Sequence, residues 1–157
     1  MDLDKIVCTS DDERYMLEAL REAEAAAALD EVPVGAVIVK DGEIIARAHN
    51  RVESDKSSMS HAEMLALAEA EERLHAKWLP GATMYVTLEP CSMCAGAMVL
   101  ARMQRLVVGA TDPKTGACGS IMNIAADDRL NHRIEITNGV LENECSTMLK
   151  EFFRARR

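Results

Sequence analysis

Thr83-Met84-Tyr85-Val86-Thr87-Leu88-Glu89-Pro90-Cys91-Ser92-Met93-Cys94-Ala95-Gly96-Ala97-Met98 decides the fold. Its first six residues read as a strand. Cys91-x-x-Cys94 then opens an Ala-rich helix running to about Arg102, and Leu106 to Ala110 reads as the next strand. A strand, helix, strand order calls for a crossover and a parallel pair. Upstream, Val34 to Val39 and Ile44 to His49 flank Asp41-Gly42, a type I′ hairpin signal, so these two strands are antiparallel. Ser10 and Glu13 form a possible capping box for a helix to about Leu29, with Met16, Leu20, Ala23 and Ala27 on one face. Ser60 is expected to cap a helix over 61–75, with Met64, Leu65 and Ala68 inward. Beyond the fourth strand, a short helix near Ile121 to Ala126, a strand from Arg133 to Thr137, a turn at Asn138-Gly139 and a helix from Leu141 to Arg156 complete the chain. The predicted fold is α/β: three α/β/α layers around a mixed five-stranded sheet. No linker or repeat interrupts it, so residues 1–157 are expected to form one domain.

His61-Ala62-Glu63 and Pro90-Cys91-Ser92-Met93-Cys94 fall at two predicted helix starts. One His and two Cys make three zinc ligands and leave a fourth position open, as in a catalytic rather than a structural site. The positive ends of two helix dipoles would favour the thiolates. Glu63 stands two residues past the His, close enough to move protons without being a ligand. His49, His75 and His132 lack metal-ligand spacing and read as structural or surface residues. Cys8, Cys118 and Cys145 read as free thiols, since five cysteines in this pattern make no disulfide framework.

With 48% hydrophobic and 28% charged residues, the chain has an ordinary globular composition. No apolar run approaches a membrane span, and the acidic N-terminus has no signal-peptide character, so a cytoplasmic location is expected. The net charge of −8 argues against indiscriminate nucleic-acid binding. It is uneven: residues 1–100 carry 9 Lys and Arg against 19 Asp and Glu, residues 101–157 carry 9 against 7. Any polyanion contact is therefore expected in the C-terminal third, although the basic tail also suits the negative end of a helix dipole.

The H-x-E…P-C-x-x-C pattern resembles the cytidine deaminase superfamily of zinc-dependent deaminases. Further stretches are similar to the bacterial tRNA-specific adenosine deaminases: Glu31-Val32-Pro33-Val34-Gly35-Ala36-Val37, Tyr85 to Cys91, Cys94-Ala95-Gly96-Ala97-Met98, Lys114-Thr115-Gly116, Asn131-His132-Arg133 and Glu151-Phe152-Phe153-Arg154. The likeness spans roughly residues 12–157. It implies a homodimer with one Zn²⁺ per subunit and no organic cofactor, converting wobble adenosine to inosine in the anticodon loop of tRNA-Arg. It further implies zinc on His61, Cys91 and Cys94, with Glu63 as proton shuttle. Asn50 and the Ala62 backbone would bond the flipped adenine, between Val34 and Leu88 as apolar walls. Asp112, Lys114, Phe153 and Arg156 would touch flanking nucleotides. A single-stranded loop is read by stacking and base edges, which an acidic protein can supply.

Two other readings compete. The zinc motif encodes the chemistry and not the substrate, so a deaminase of a free base or nucleoside, such as guanine or cytosine, has the same pattern. The Lys114-Thr115-Gly116 loop and the Phe152-Phe153-Arg154 tail favour tRNA over it. A non-catalytic zinc or RNA-binding module would have no need of Glu63.

Overall fold

The computed structural model describes residues 1–157. A 3₁₀ turn at Leu3–Lys5 precedes α1 (Asp11–Ala28), the hairpin β1 (Gly35–Lys40) and β2 (Glu43–His49), a four-residue α2 (Val52–Asp55) and α3 (Ala62–Leu74). Then come β3 (Thr83–Leu88), α4 (Ser92–Leu100), β4 (Arg105–Ala110), β5 (Glu135–Thr137) and α5 (Glu142–Arg154). The sheet order is β2-β1-β3-β4-β5, with β1 antiparallel to both neighbours and β3, β4 and β5 parallel. This is the mixed five-stranded sheet the sequence predicts. No helix is long and apolar enough to cross a membrane.

The sheet is covered on both faces, which is why its three central strands are almost continuously apolar. Val37, Val39, Tyr85 and Val107 point to one side, against Met16, Ala19 and Leu20 of α1 and Cys145 of α5. Ala36, Ile38, Met84, Val86 and Val108 point to the other, against Ala62, Ala66 and Ala70 of α3 and Met98 of α4. The small residues of α1 and β1 allow a close approach. A Cβ on Gly35 would lie 2.0 Å from the Ala19 carbonyl and 2.5 Å from the Ala23 nitrogen. The hairpin turn has φ of 52° at Asp41 and 76° at Gly42, the two positive values a type I′ turn demands.

Several local expectations differ. Ser60 does not cap α3: His61 holds the N-cap position, and the Ser60 carbonyl instead accepts the Arg51 N–H at 2.9 Å. The buried face of α3 is Ala62, Glu63, Ala66, Leu67 and Ala70; Met64 and Leu65 are half-buried and Ala68 is exposed. Turning Glu63 inward at the helix mouth rotates the whole stripe. In α1, Ala26 rather than Ala27 completes the inner face. The capping box is half formed: Ser10 Oγ accepts the Glu13 N–H at 3.2 Å, while Glu13 turns back to the Thr9 N–H and hydroxyl. No helix forms over 121–126, because the segment folds back in a bridge between Cys118 and Asn123. The β4-to-β5 crossover is therefore a loop, and β5 shrinks to three edge residues.

Candidate metal centre and substrate cavity

The C-terminal ends of β3 and β4, the start of β1 and the end of β2 meet at one edge of the sheet, as the strand directions require. The first residues of α3 and α4 arrive at the same edge. Both His61 and Cys91 are helix N-cap residues, and no side chain caps either helix, so the positive ends of α3 and α4 are free to face the site. Ligand crevices form at this end of parallel strands.

His61 Nδ1 lies 3.6 Å from Cys91 Sγ and 3.5 Å from Cys94 Sγ. All three donor atoms fall within 4.8 Å of one another. Bond lengths of about 2.3 Å to sulfur and 2.05 Å to nitrogen put the nitrogen–sulfur edge of a zinc tetrahedron at about 3.6 Å. The observed separations match that edge, and the soft N/S donor set suits the same ion. The Cys94 hydrogen bond pulls the Cys91 thiol down to about 5, and Cys94 rises in exchange. A metal dication held by these sulfurs would displace their protons. Glu63 is buried beside them, and that burial pushes its carboxyl up to about 7. Glu63 is not a member of the donor cluster.

The donors open into a cavity of ≈ 480 Å³, within the range of small-molecule sites, roughly 300–1,000 Å³. Val34, Asn50, Ala62 and Leu88 all line it, together with His61, Glu63 and Cys91. Asn50 is tied down at both ends: Nδ2 donates to the Val32 carbonyl at 3.3 Å, and Oδ1 accepts from the Val52 N–H at 3.3 Å. One amide hydrogen and one lone pair remain for a ligand. Asp112 and Arg156 stand in the wall as well. Lys114 and Phe153 do not: Lys114 is exposed in the loop, and Phe153 points to solvent.

Thr115 and Phe152, neighbours of those two in the same loop and tail, line the cavity instead, although no individual role is expected of either from the sequence. Phe152 follows Cys145 and Met148 at helical spacing on the inner face of α5, a signal that could have separated it from Phe153. The Arg156 guanidinium stacks 3.5 Å from the Phe152 ring centroid and pairs with Asp30 across the rim, its Nε 2.9 Å from Oδ1. Two carboxylates that belong to the resemblance stretches without an assigned role, Glu31 and Glu89, are buried. Glu31 accepts from the Glu53 N–H at 3.0 Å, the Ser54 N–H at 2.6 Å and the Ser54 hydroxyl. Burial raises its carboxyl, but these bonds outweigh burial and hold it below the usual range. A lone acidic residue at the edge of an apolar run was the available sign in both cases.

The remaining histidines and cysteines have local roles. His75 ends α3 in a left-handed conformation, and the His132 ring bonds the Met103 carbonyl at 2.6 Å. His49 lies 3.0 Å from the Asn50 carbonyl. Cys8, Cys118 and Cys145 are free.

Comparison with known proteins gives a consistent picture. A family profile, the MafB19-like deaminases, matches residues 10–157. The tRNA-specific adenosine deaminase of Bacillus subtilis is 55% identical over 146 residues, covering 93% of this chain and 91% of that protein. A solved structure from work on A-to-I editing by tRNA:A34 deaminases at the wobble position superposes with a TM-score of 0.83 at 43% identity, covering 87% of this chain and 99% of that one. The guanine deaminase of Nitrosomonas europaea shares the fold at a TM-score of 0.79, but only 26% identity, over 94% of this chain and 86% of that one. The donor cluster with its buried carboxylate and the whole-chain identity agree: this chain belongs to the MafB19-like deaminases, within the family of the bacterial tRNA-specific adenosine deaminases.

Proposed function

We propose that the protein hydrolyses the 6-amino group of the wobble adenosine in a tRNA anticodon loop, leaving inosine, with tRNA-Arg as the substrate. The observation that carries this is Glu63, buried in the wall of a base-sized cavity beside the His61, Cys91 and Cys94 donors. When bound to those three residues, one Zn²⁺ per subunit supplies the Lewis acidity that makes water a nucleophile at neutral pH. Glu63 takes one proton from the attacking water and delivers it to N1 of the adenine, where it stays, and then carries the C6 hydroxyl proton to the amine, which departs as ammonia as the C6 carbonyl forms. Asn50 and the uncapped N–H of Ala62 orient the base edge, while Val34 and Leu88 exclude bulk water from its faces.

Charge supports a nucleobase in the cavity and phosphates outside it. Asp30, Glu31, Glu53, Glu63, Glu89 and Asp112 line the wall, and Arg156 is the one Lys or Arg among the lining residues. A neutral base enters such a wall more readily than a phosphate does. Arg156 and Asp112 in the wall, with Lys114 and Phe153 exposed on the adjoining loop and helix, would meet the flanking nucleotides. Unstacking the base costs a few kcal/mol, least in a single-stranded loop. In this account residues 1–157 work as one domain, in a cytoplasmic homodimer.

The test is deamination of an anticodon stem-loop with adenosine at the wobble position, run beside free guanine and cytidine. Inosine in the stem-loop alone is the expected result. Turnover of guanine or cytidine with the stem-loop left intact would transfer the chain to the free-base reading.

A further inference from the structure

Glu89 sits immediately before Pro90-Cys91 and is 3% exposed, yet nothing in the chemistry above uses it. Its two oxygens are fully engaged by one loop. Oε1 accepts the Asp112 N–H at 3.0 Å and the Ser120 hydroxyl, and Oε2 accepts the Cys118 and Ser120 N–H groups at 3.0 Å each. The Ala117 N–H adds a bond to the Pro90 carbonyl at 2.9 Å. The loop is pressed onto the carboxylate so closely that a Cβ on Gly116 would fall 2.4 Å from Oε2 and 2.5 Å from the Asp112 carbonyl. Asp112 is organised in turn: its carboxylate accepts the N–H groups of Lys114 and Thr115 and the Thr115 hydroxyl. One buried side chain therefore fixes both ends of the 112–120 segment to the strand end that carries Cys91.

We infer that Glu89 is a positioning residue that presets the Asp112–Ser120 loop for RNA, holding Asp112 and Thr115 in the cavity wall before the substrate arrives. The inference rests on the tRNA reading above. A preset loop spares the ordering entropy that a mobile loop would lose on binding. Because all four donors come from the loop and none from a metal-binding residue, losing the clamp should weaken RNA binding more than the chemical step.

The experiment compares zinc-loaded wild type, Glu89→Gln and Ser120→Ala. Whichever way the Gln amide turns, its NH₂ opposes at least one loop N–H, so the clamp cannot be rebuilt. Three quantities are read: zinc content, KM and kcat on the wobble-adenosine stem-loop, and hydrogen exchange of the 112–120 amides. Glu89→Gln should retain zinc, expose the loop amides to faster exchange and raise KM about tenfold, with kcat within about threefold. Ser120→Ala removes one bond and should move KM the same way, by about threefold. It carries the test should Glu89→Gln fail to fold. An unchanged KM in a folded variant whose loop amides exchange faster overturns the inference. So does a fall in kcat accompanied by zinc loss, which would make Glu89 a support of the metal segment. If wild type leaves the stem-loop intact while the loop amides still respond, it is the tRNA reading that fails.

Discussion

Gly35→Ala should be among the most destabilising single-methyl additions in this protein. The new Cβ would stand 2.0 Å from the Ala19 carbonyl oxygen, 2.5 Å from the Ala23 nitrogen and 2.8 Å from Glu22 Cβ. Two of these are backbone atoms of α1, so no side-chain rotation relieves the clash. Restoring ordinary contact at about 3.4 Å requires α1 to back away from β1 by about 1.4 Å. That gap opens beneath Met16, Ala19, Leu20, Ala23 and Ala26, of which Met16 and Leu20 are among the largest fully buried side chains. A separation of 0.5–1 Å already forfeits roughly a quarter to a half of each contact. Overpacking of this kind costs about 1–3 kcal/mol, and the backbone nature of the clash puts the estimate at about 3–5 kcal/mol. For a chain of this size the melting temperature should drop by roughly 10 °C. Calorimetry on the zinc-loaded protein reads it directly. The same shift displaces the α1–β1 connection, which carries Asp30, Glu31, Val32 and Val34 into the cavity wall, so KM should rise as well. A melting temperature within about 2 °C of wild type, the scatter of one measurement, would refute the reasoning.

Other perturbations separate the remaining parts of the account. Glu63→Gln should keep its zinc and lose about 10²–10⁴-fold in kcat, whereas Cys91→Ala should lose both zinc and much of its stability; equal zinc loss by metal analysis would make Glu63 a ligand. Charge reversal at Arg154 and Arg156 should weaken stem-loop binding and flatten its salt dependence, and an unchanged slope would return both to an ordinary helix end. Arg105 holds the Asp12 carboxyl below the usual range through bonds of 2.7 and 2.9 Å, helped by the Tyr85 hydroxyl at 2.9 Å. A lowered folded value means that stability is present above the unfolded pKa near 4 and is lost as pH falls through the folded value. Arg105→Leu should therefore be less stable than wild type at pH 7 by about 1–2 kcal/mol, with a gap that narrows in acid; a gap constant with pH contradicts the assignment.

The central architecture was legible because its signals are local. An apolar run, Pro90 and Cys91-x-x-Cys94 specify a strand feeding a helix, and Asp41-Gly42 specifies a hairpin; both are set by neighbours in the chain. The metal donors were legible for the same reason, since each half of the motif opens its own helix. What stayed hidden depends on long-range partners. Ser60 carries the chemistry of a helix cap, but its backbone is claimed by Arg51, far enough away in sequence that composition gives no warning. The 121–126 segment has helical composition, but the Glu89 clamp and the Cys118–Asn123 bridge bind its approach in a different shape. Phe152 and Phe153 are adjacent, and only the face of α5 that meets the cavity decides between them. Glu31 and Glu89 look like surface charges until the loops that surround them are in place.

Hydrolysis of a wobble adenosine's amine by the His61, Cys91 and Cys94 cluster with Glu63 can be tested directly. The most direct measurement is inosine formed at the wobble position of an anticodon stem-loop as zinc is titrated into metal-free protein. Inosine should rise in proportion to bound zinc, saturate at one ion per subunit and disappear in Glu63→Gln at the same zinc content. Inosine formation independent of zinc, or undiminished in Glu63→Gln, would contradict it.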